Sequence, residues 1–96
     1  MPKFPSVTRD LAFTVDASLP QKAVEEVIRQ VGQPLLVNVV LFDTYSGQQT
    51  GIERKSVAYA LEFQSPDRTL TDAEIDNALK RIIEAVQRQC NAVLRS

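Results

Sequence analysis

Residues 35–56, LLVNVVLFDTYSGQQTGIERKS, decide how this chain folds, because they hold two predicted strands and the connection between them. An apolar strand ends in FDTY (residues 42–45), a polar segment with Gly47 and Gly51 follows, and RKS (residues 54–56) opens the second strand. A connection of roughly ten residues suits an antiparallel hairpin and is too short for a helical crossover. The stretch therefore predicts a hairpin.

The two faces of this hairpin differ in chemistry. Strand side chains alternate between faces, so Val40 and Phe42 are expected on one face and Leu41, Asp43 and Tyr45 on the other. The first set is apolar and needs a core. The second places a phenol beside a carboxylate, on a surface that the next strand continues.

A strand and a helix are predicted before the hairpin. Residues 1–6 contain two prolines and indicate an extended arm, and residues 9–16, RDLAFTVD, alternate as a strand does. Ser18 is the predicted N-cap of a first helix, with Gln21 three residues later and Gly32 at its end. The second and third strands are expected over residues 35–45 and 54–64.

A second helix and a short strand are predicted after the hairpin. Thr71 and Glu74 form a capping box, and the apolar stripe that follows continues for about twenty residues to Cys90. Residues 92–96 are expected to form a fourth strand. The order βαββαβ predicts one α+β domain over residues 1–96, a ferredoxin-like four-stranded antiparallel sheet with two helices on one face.

One face of this sheet is expected under the helices, and the other, here called the open face, is free of them. The residues assigned to the covered face are Leu11, Phe13, Val15, Val40, Phe42, Val57, Tyr59, Leu61 and Phe63. Those assigned to the open face are Ala12, Thr14, Leu41, Asp43, Tyr45, Ser56, Ala58 and Ala60.

Composition excludes several classes of function. A net charge of −1 does not indicate a domain that grips nucleic acid by bulk charge. The chain has no histidine, which is the commonest general base, and its lone cysteine, Cys90, excludes an internal disulfide and fits a reducing cytoplasm. We expect no membrane span, because no apolar run approaches about 18 residues. A start at Met1 fits both a natural terminus and a piece of a longer protein.

The open face suits a flat aromatic ligand. Alanines leave a shallow floor beside Tyr45, on which a nucleobase can stack, while Asp43 and Ser56 can hydrogen-bond to base edges. Arg54 and Lys55 are candidate phosphate contacts. The same small residues are equally compatible with packing against another domain, and a tyrosine near a strand end is commonly a plain surface residue.

Other proteins with this topology fit less well. An acylphosphatase needs an arginine in the loop after the first strand, where this chain has Asp16-Ala17-Ser18. An RNA-recognition motif carries aromatic residues on its third strand, where Ser56, Ala58 and Ala60 stand here. Gly47 and Gly51 are not followed by the Gly-Lys-Ser/Thr of a phosphate-binding loop.

Several short motifs together give a specific resemblance. They are FP at residues 4–5, RDLA at 9–12, LFDTY at 41–45 with Gly47, KS at 55–56, RTLTD at 68–72 and LR at 94–95. In this order and spacing they resemble the ferredoxin-fold anticodon-binding domain that closes the beta subunit of bacterial phenylalanyl-tRNA synthetases. The resemblance covers nearly the whole chain. Ser46 stands where the family often has a basic residue.

The resemblance implies a role in binding tRNA(Phe). It implies that Tyr45 stacks on an anticodon base and that Ala12, Asp43 and Ser56 contact or adjoin anticodon bases. It also implies a longer beta subunit, an alpha-subunit partner in an α2β2 enzyme, and ATP and Mg²⁺ bound outside these 96 residues. No catalytic residue, cofactor or metal site is expected within the chain.

Two alternatives remain open on the residues alone. The chain could be a ferredoxin-like domain that binds a protein or a small ligand through its open face. It could also be a small hydrolase, although the missing histidine and phosphate loop disfavour that class.

Overall fold

Two helices and four strands follow one another in the order βαββαβ in a computed structural model that describes residues 4–49 and 52–95. The elements are β1 (Val7–Asp16), α1 (Gln21–Gly32), β2 (Leu36–Gln49), β3 (Ile52–Phe63), α2 (Asp72–Cys90) and β4 (Val93–Leu94). Residues 4–6 have no regular secondary structure; the rest of the predicted arm, Gly51 and Ser96 lie outside the described residues. Neither described helix is both long enough and apolar enough to span a membrane.

The four strands form one sheet in the order β2-β3-β1-β4, and every neighbouring pair is antiparallel. β1 and β3 pair without interruption, from Val7 opposite Phe63 to Asp16 opposite Arg54. This arrangement confirms the predicted ferredoxin-like α+β fold.

The core lies between the helices and one face of the sheet. The alternating apolar residues of β1 and β3 are buried there, as predicted, against the stripe of α2 that ends at Cys90. Tyr59 is fully buried, and its hydroxyl donates to the backbone carbonyl of Gln21 at the start of α1 (2.8 Å). Burial raises the pKa of Tyr59 to about 12, so the phenol stays protonated and joins β3 to α1.

The helix ends follow the sequence only in part. The capping box of α2 is confirmed, because the backbone N–H of Glu74 donates to Thr71 Oγ1 and that of Thr71 to Glu74 Oε1. The predicted N-cap Ser18 is wrong: Pro20 occupies that position without a side-chain cap. The backbone N–H and hydroxyl of Ser18 instead donate to Asp16 Oδ1 (2.9 and 2.8 Å).

The end of α1 at Gly32 is set by a close approach of the chain to itself. A Cβ atom at this position would lie 2.6 Å from Cδ2 of Leu36. Glycine therefore lets the first residue of β2 pack against the last turn of the helix, and Leu36 is buried there.

Strand β2 contains two irregularities that overturn three face assignments. Its register against β3 shifts between Leu36 and Asn38 and again between Leu41 and Asp43, so one extra residue is inserted each time. Val40 and Phe42, expected in the core, are 48% and 55% exposed. Leu41, expected on the open face, packs against the core. An inserted residue reverses the alternation that follows it, and the second insertion restores the predicted phase at Asp43.

The hairpin and the last strand also differ in length from the expectation. β2 extends to Gln49 and β3 begins at Ile52, so the predicted ten-residue connection is wrong, and residues 46–49 pair with residues 52–55. β4 contains only Val93–Leu94, although the backbone N–H of Arg95 still donates to the carbonyl of Ala12 (2.7 Å).

Candidate nucleic-acid interface

Two neighbouring rows of the sheet bring the predicted base-contacting positions together on the open face. In one row Ala12 of β1 lies opposite Ala58 of β3, which lies opposite Asp43 of β2. In the next row Thr14 lies opposite Ser56, and Ser56 opposite Tyr45. Positions 12, 43, 45 and 56 are distant in sequence, and only antiparallel pairing with this register makes them neighbours.

The centre of the open face, in and beside these rows, is shallow. Ala12, Ala58 and Ala60 have no side-chain atom beyond Cβ, and each is half-buried by its neighbours in the sheet. Asp43, at the edge of the same surface, is exposed. A planar ring can therefore approach the sheet closely here while its edge meets a carboxylate.

The position of Tyr45 is set by its backbone. It pairs with Ser56, two residues beyond Asp43 on the same strand, so both tyrosine and aspartate occupy the register positions predicted for the open face. The predicted placement of its phenol ring lies outside the side chains that the structure describes.

Arg54 and Lys55, paired in the sequence prediction, occupy opposite faces of the sheet. Arg54 lies opposite Asp16, in the row that follows Ser56 on the open face. Lys55 lies opposite Val15, which is fully buried beneath the helices. The structure thus keeps Arg54 beside the open-face rows and separates Lys55 from them.

Asp16, at the end of β1 opposite Arg54, holds the loop that follows through hydrogen bonds from Ser18. Hydrogen bonds from the backbone N–H and hydroxyl of Ser18, with a smaller contribution from the positive charges of Arg54 and Lys55, hold the pKa of Asp16 below its usual value. The carboxylate is therefore ionised at neutral pH and offsets part of the positive charge at this end of the sheet.

Arg95 is a residue of this surface that the sequence prediction missed. Its Nη1 donates to Ser56 Oγ (2.8 Å), although Arg95 follows β4 and Ser56 belongs to β3, with β1 between them. The guanidinium therefore extends across the sheet to the row of Thr14. The sequence did contain a signal for Arg95. In the expected fourth strand, residues 93 and 95 lie on the same face.

The charges on the open face are mixed. Acidic residues on or beside this face by register are Asp10, Asp16, Asp43 and Glu62, and basic ones are Arg54 and Arg95. Such a surface does not attract polyanions strongly by itself, so recognition here depends on short-range contacts.

Among residues 4–49 and 52–95, no group of three or more histidine, cysteine, aspartate or glutamate side chains is placed to hold a metal ion. The described residues thus do not fit a Mg²⁺ site of that kind. Cys90 is buried in the core, where burial raises the pKa of its thiol.

The fold and this surface define a ferredoxin-like α+β domain with one face covered by helices and an opposite face whose centre is lined by small residues. Residues 2–95 match the family model described as "Ferredoxin-fold anticodon binding domain", and the chain belongs to that family. The resemblance noted from the short motifs is thereby confirmed.

Curated relatives carry the name phenylalanine–tRNA ligase beta subunit. The chain is 48% identical over 95 residues to the protein of Moorella thermoacetica, 42% to that of Geobacillus kaustophilus and 39% to that of Bacillus subtilis. Each match covers 99% of this chain and 12% of the relative's length.

Proposed function

We propose that the chain binds the anticodon of tRNA(Phe) through its open face. In this role it positions the tRNA while ATP-dependent aminoacylation takes place elsewhere in a phenylalanine–tRNA ligase. The observation that carries the proposal is the register that puts residues 12, 43, 45 and 56 in two adjacent rows on the face the helices leave free.

Each of these residues has a distinct proposed role. Tyr45 provides a ring on which an anticodon base stacks, and Ala12 allows that base to approach the sheet. Asp43 accepts hydrogen bonds from amino or imino groups of a base, and the hydroxyl of Ser56 contacts a base edge.

Basic residues supply contacts to the RNA backbone. Arg54 is on the open face next to Ser56 and is the proposed phosphate contact there. Lys55 lies on the face covered by the helices, so it can contact a phosphate only where the RNA backbone extends beyond the end of the strands. The mixed charge of the face leaves most backbone affinity to other parts of a ligase.

The larger assembly is also a proposal, supported by the names of the relatives and by the share of their length that the chain covers. We propose that the domain acts in a cytoplasmic β subunit paired with an α subunit in an α2β2 enzyme. ATP and Mg²⁺ are assigned to the remainder of that enzyme, and no step of the chemistry is assigned to this chain.

The proposal is tested with two labelled stem-loops that differ only in the loop bases. One carries the phenylalanine anticodon, and the other has the same stem, length and charge with its anticodon bases exchanged. We expect the 96-residue chain to bind the first about tenfold more tightly or better, because direct base contacts are worth about 1–3 kcal/mol each. Equal affinity for the two RNAs would contradict base recognition by this surface.

A further inference from the structure

The hydrogen bond between Arg95 and Ser56 determines which partner the Ser56 hydroxyl can bind. An arginine guanidinium has donors and no acceptor, and it remains charged in proteins. In this contact, therefore, Nη1 of Arg95 donates and Ser56 Oγ accepts (2.8 Å). One lone pair of Oγ is occupied by the cation, and the hydroxyl hydrogen is not used in the contact.

This geometry gives the hydroxyl a direction. A free serine hydroxyl rotates and can serve as donor or acceptor. A cationic donor on Oγ polarises the O–H bond and turns the hydrogen away from the guanidinium, which strengthens the hydroxyl as a donor. Ser56 is half-buried in the sheet and Arg95 is exposed, so the contact lies at the surface of the open face.

We propose that Arg95 is a positioning residue that fixes Ser56 as a hydrogen-bond donor, so that this corner of the open face recognises a lone-pair acceptor on a base edge. The inference rests on the proposed function. It adds a specificity rule: Ser56 selects a ring nitrogen or carbonyl oxygen, whereas Asp43, in the adjacent row, selects an amino or imino group.

The backbone of Arg95 makes its side chain replaceable. The N–H of Arg95 donates to the carbonyl of Ala12 whatever side chain stands at position 95. Arg95→Ala should therefore keep β4 paired with β1 and remove only the guanidinium. Ser56→Thr keeps a hydroxyl on a β-branched residue that suits a strand, and Ser56→Ala removes the hydroxyl.

The test measures the Kd of the anticodon stem-loop for the wild-type chain, Ser56→Ala, Ser56→Thr, Arg95→Ala and the double variant Arg95→Ala/Ser56→Ala. We expect Ser56→Ala to weaken binding about fivefold, Arg95→Ala measurably but by no more than that, and Ser56→Thr, which keeps the hydroxyl, less than Ser56→Ala. The double variant should bind as Ser56→Ala does, because Arg95 acts through that hydroxyl.

Arg81→Ala is the matched control. Arg81 is exposed on α2, in the helical layer, so this substitution removes the same charge without touching the open face. It should leave the Kd near the wild-type value. A loss equal to that of Arg95→Ala would show that only the net charge matters and would overturn the proposal.

A dependence of binding on salt separates a positioning role from a phosphate contact. If Arg95 bound a phosphate itself, its removal would lower the slope of log Kd against log salt by about 0.7, and the Kd of the double variant would rise by the product of the two single-variant factors. That pair of results, or an unchanged Kd for Arg95→Ala, contradicts the positioning role.

A readout without RNA tests the hydrogen bond directly. In wild-type protein the guanidinium N–H signals of Arg95 should exchange slowly and change position in Ser56→Ala, while those of Arg81 stay unchanged. No change in the Arg95 signals overturns the inference even if the domain binds RNA. Failure of the wild-type chain to prefer the anticodon stem-loop would instead count against the proposed function.

Discussion

Residues on the open face and residues in the core contribute to different properties of the domain, binding and stability. Ser56 and Asp43 lie on a surface that contributes little to the core, whereas Phe63 and Tyr59 are fully buried on the other face. Substitutions in the two groups should therefore affect different measurements.

Tyr45→Ala should weaken binding of tRNA by about tenfold or more, because stacking of a base on an aromatic ring contributes about 1–3 kcal/mol. In a ligase that contains this domain, the apparent KM for tRNA should rise while ATP–pyrophosphate exchange stays normal. Tyr45→Phe keeps the ring and is the control. Equal losses of both activities would indicate a folding defect in place of lost stacking.

Phe42→Ala and Phe63→Ala should differ sharply in stability. Phe42 is 55% exposed, so we expect Phe42→Ala to lower the free energy of unfolding by less than about 1 kcal/mol. Phe63 is fully buried, so Phe63→Ala should lower it by about 3–5 kcal/mol. Urea titration measures both. Similar losses would contradict the position of the second insertion in β2.

At the scale of elements, regular strands could be predicted from the sequence and irregular ones could not. β1 and β3 alternate without interruption, and their buried residues were assigned correctly. In β2, two inserted residues shift the register against β3, and a pattern of apolar residues along the chain does not encode where such insertions occur. Alternation consequently misplaced Val40, Leu41 and Phe42 but recovered the positions of Asp43 and Tyr45 beyond the second insertion.

Local competition explains the other element errors. Ser18 has the chemistry of an N-cap. Asp16, only two residues away, instead accepts hydrogen bonds from both the backbone N–H and the hydroxyl of Ser18. The glycine-containing segment after Tyr45 resembled a loop, yet its residues up to Gln49 pair with β3. Arg95 was part of the LR motif and of the expected fourth strand, but it was not assigned to the open face, because β4 is only two residues long and gives little alternation to assign faces.

The stability contributed by the start of α2 should decrease in acid. Two hydrogen bonds to the Glu74 carboxylate lower its pKa from the ordinary 4.5. The guanidinium of Arg68 has the larger effect, and the backbone N–H of Thr71 adds to it. A lowered folded pKa stabilises the protein above pH 4.5, and this stability is lost as the pH falls through the folded value.

Glu74→Gln keeps a capping acceptor and removes the charge, so it tests this dependence. Its Tm should lie below that of the wild type near neutral pH, and the difference should shrink as the pH falls from about 6 to about 3. Glu84→Gln, at an exposed position on the same helix, serves as the control. A difference that is constant over this range would show that the charge of Glu74 contributes nothing.

For the whole molecule, the balance of charge limits how RNA can be bound. With a net charge of −1 and with Arg95 bonded to Ser56, the described residues leave Arg54, and Lys55 at the end of the strands, to make one or two phosphate contacts. With about 0.7 counterions released per contact to single-stranded RNA, raising salt from about 50 to 200 mM should weaken binding about three- to sevenfold. A loss of a hundredfold or more in a salt titration would contradict recognition mainly through bases.

The central claim is that the open face binds the anticodon loop, and chemical-shift mapping of the isotope-labelled 96-residue chain with the anticodon stem-loop tests it most directly. We predict that the amide signals of residues 12, 43, 45, 56 and 95 shift most and that those of α1 and α2 change little. Shifts concentrated on the helices, or none at millimolar RNA, would contradict the claim.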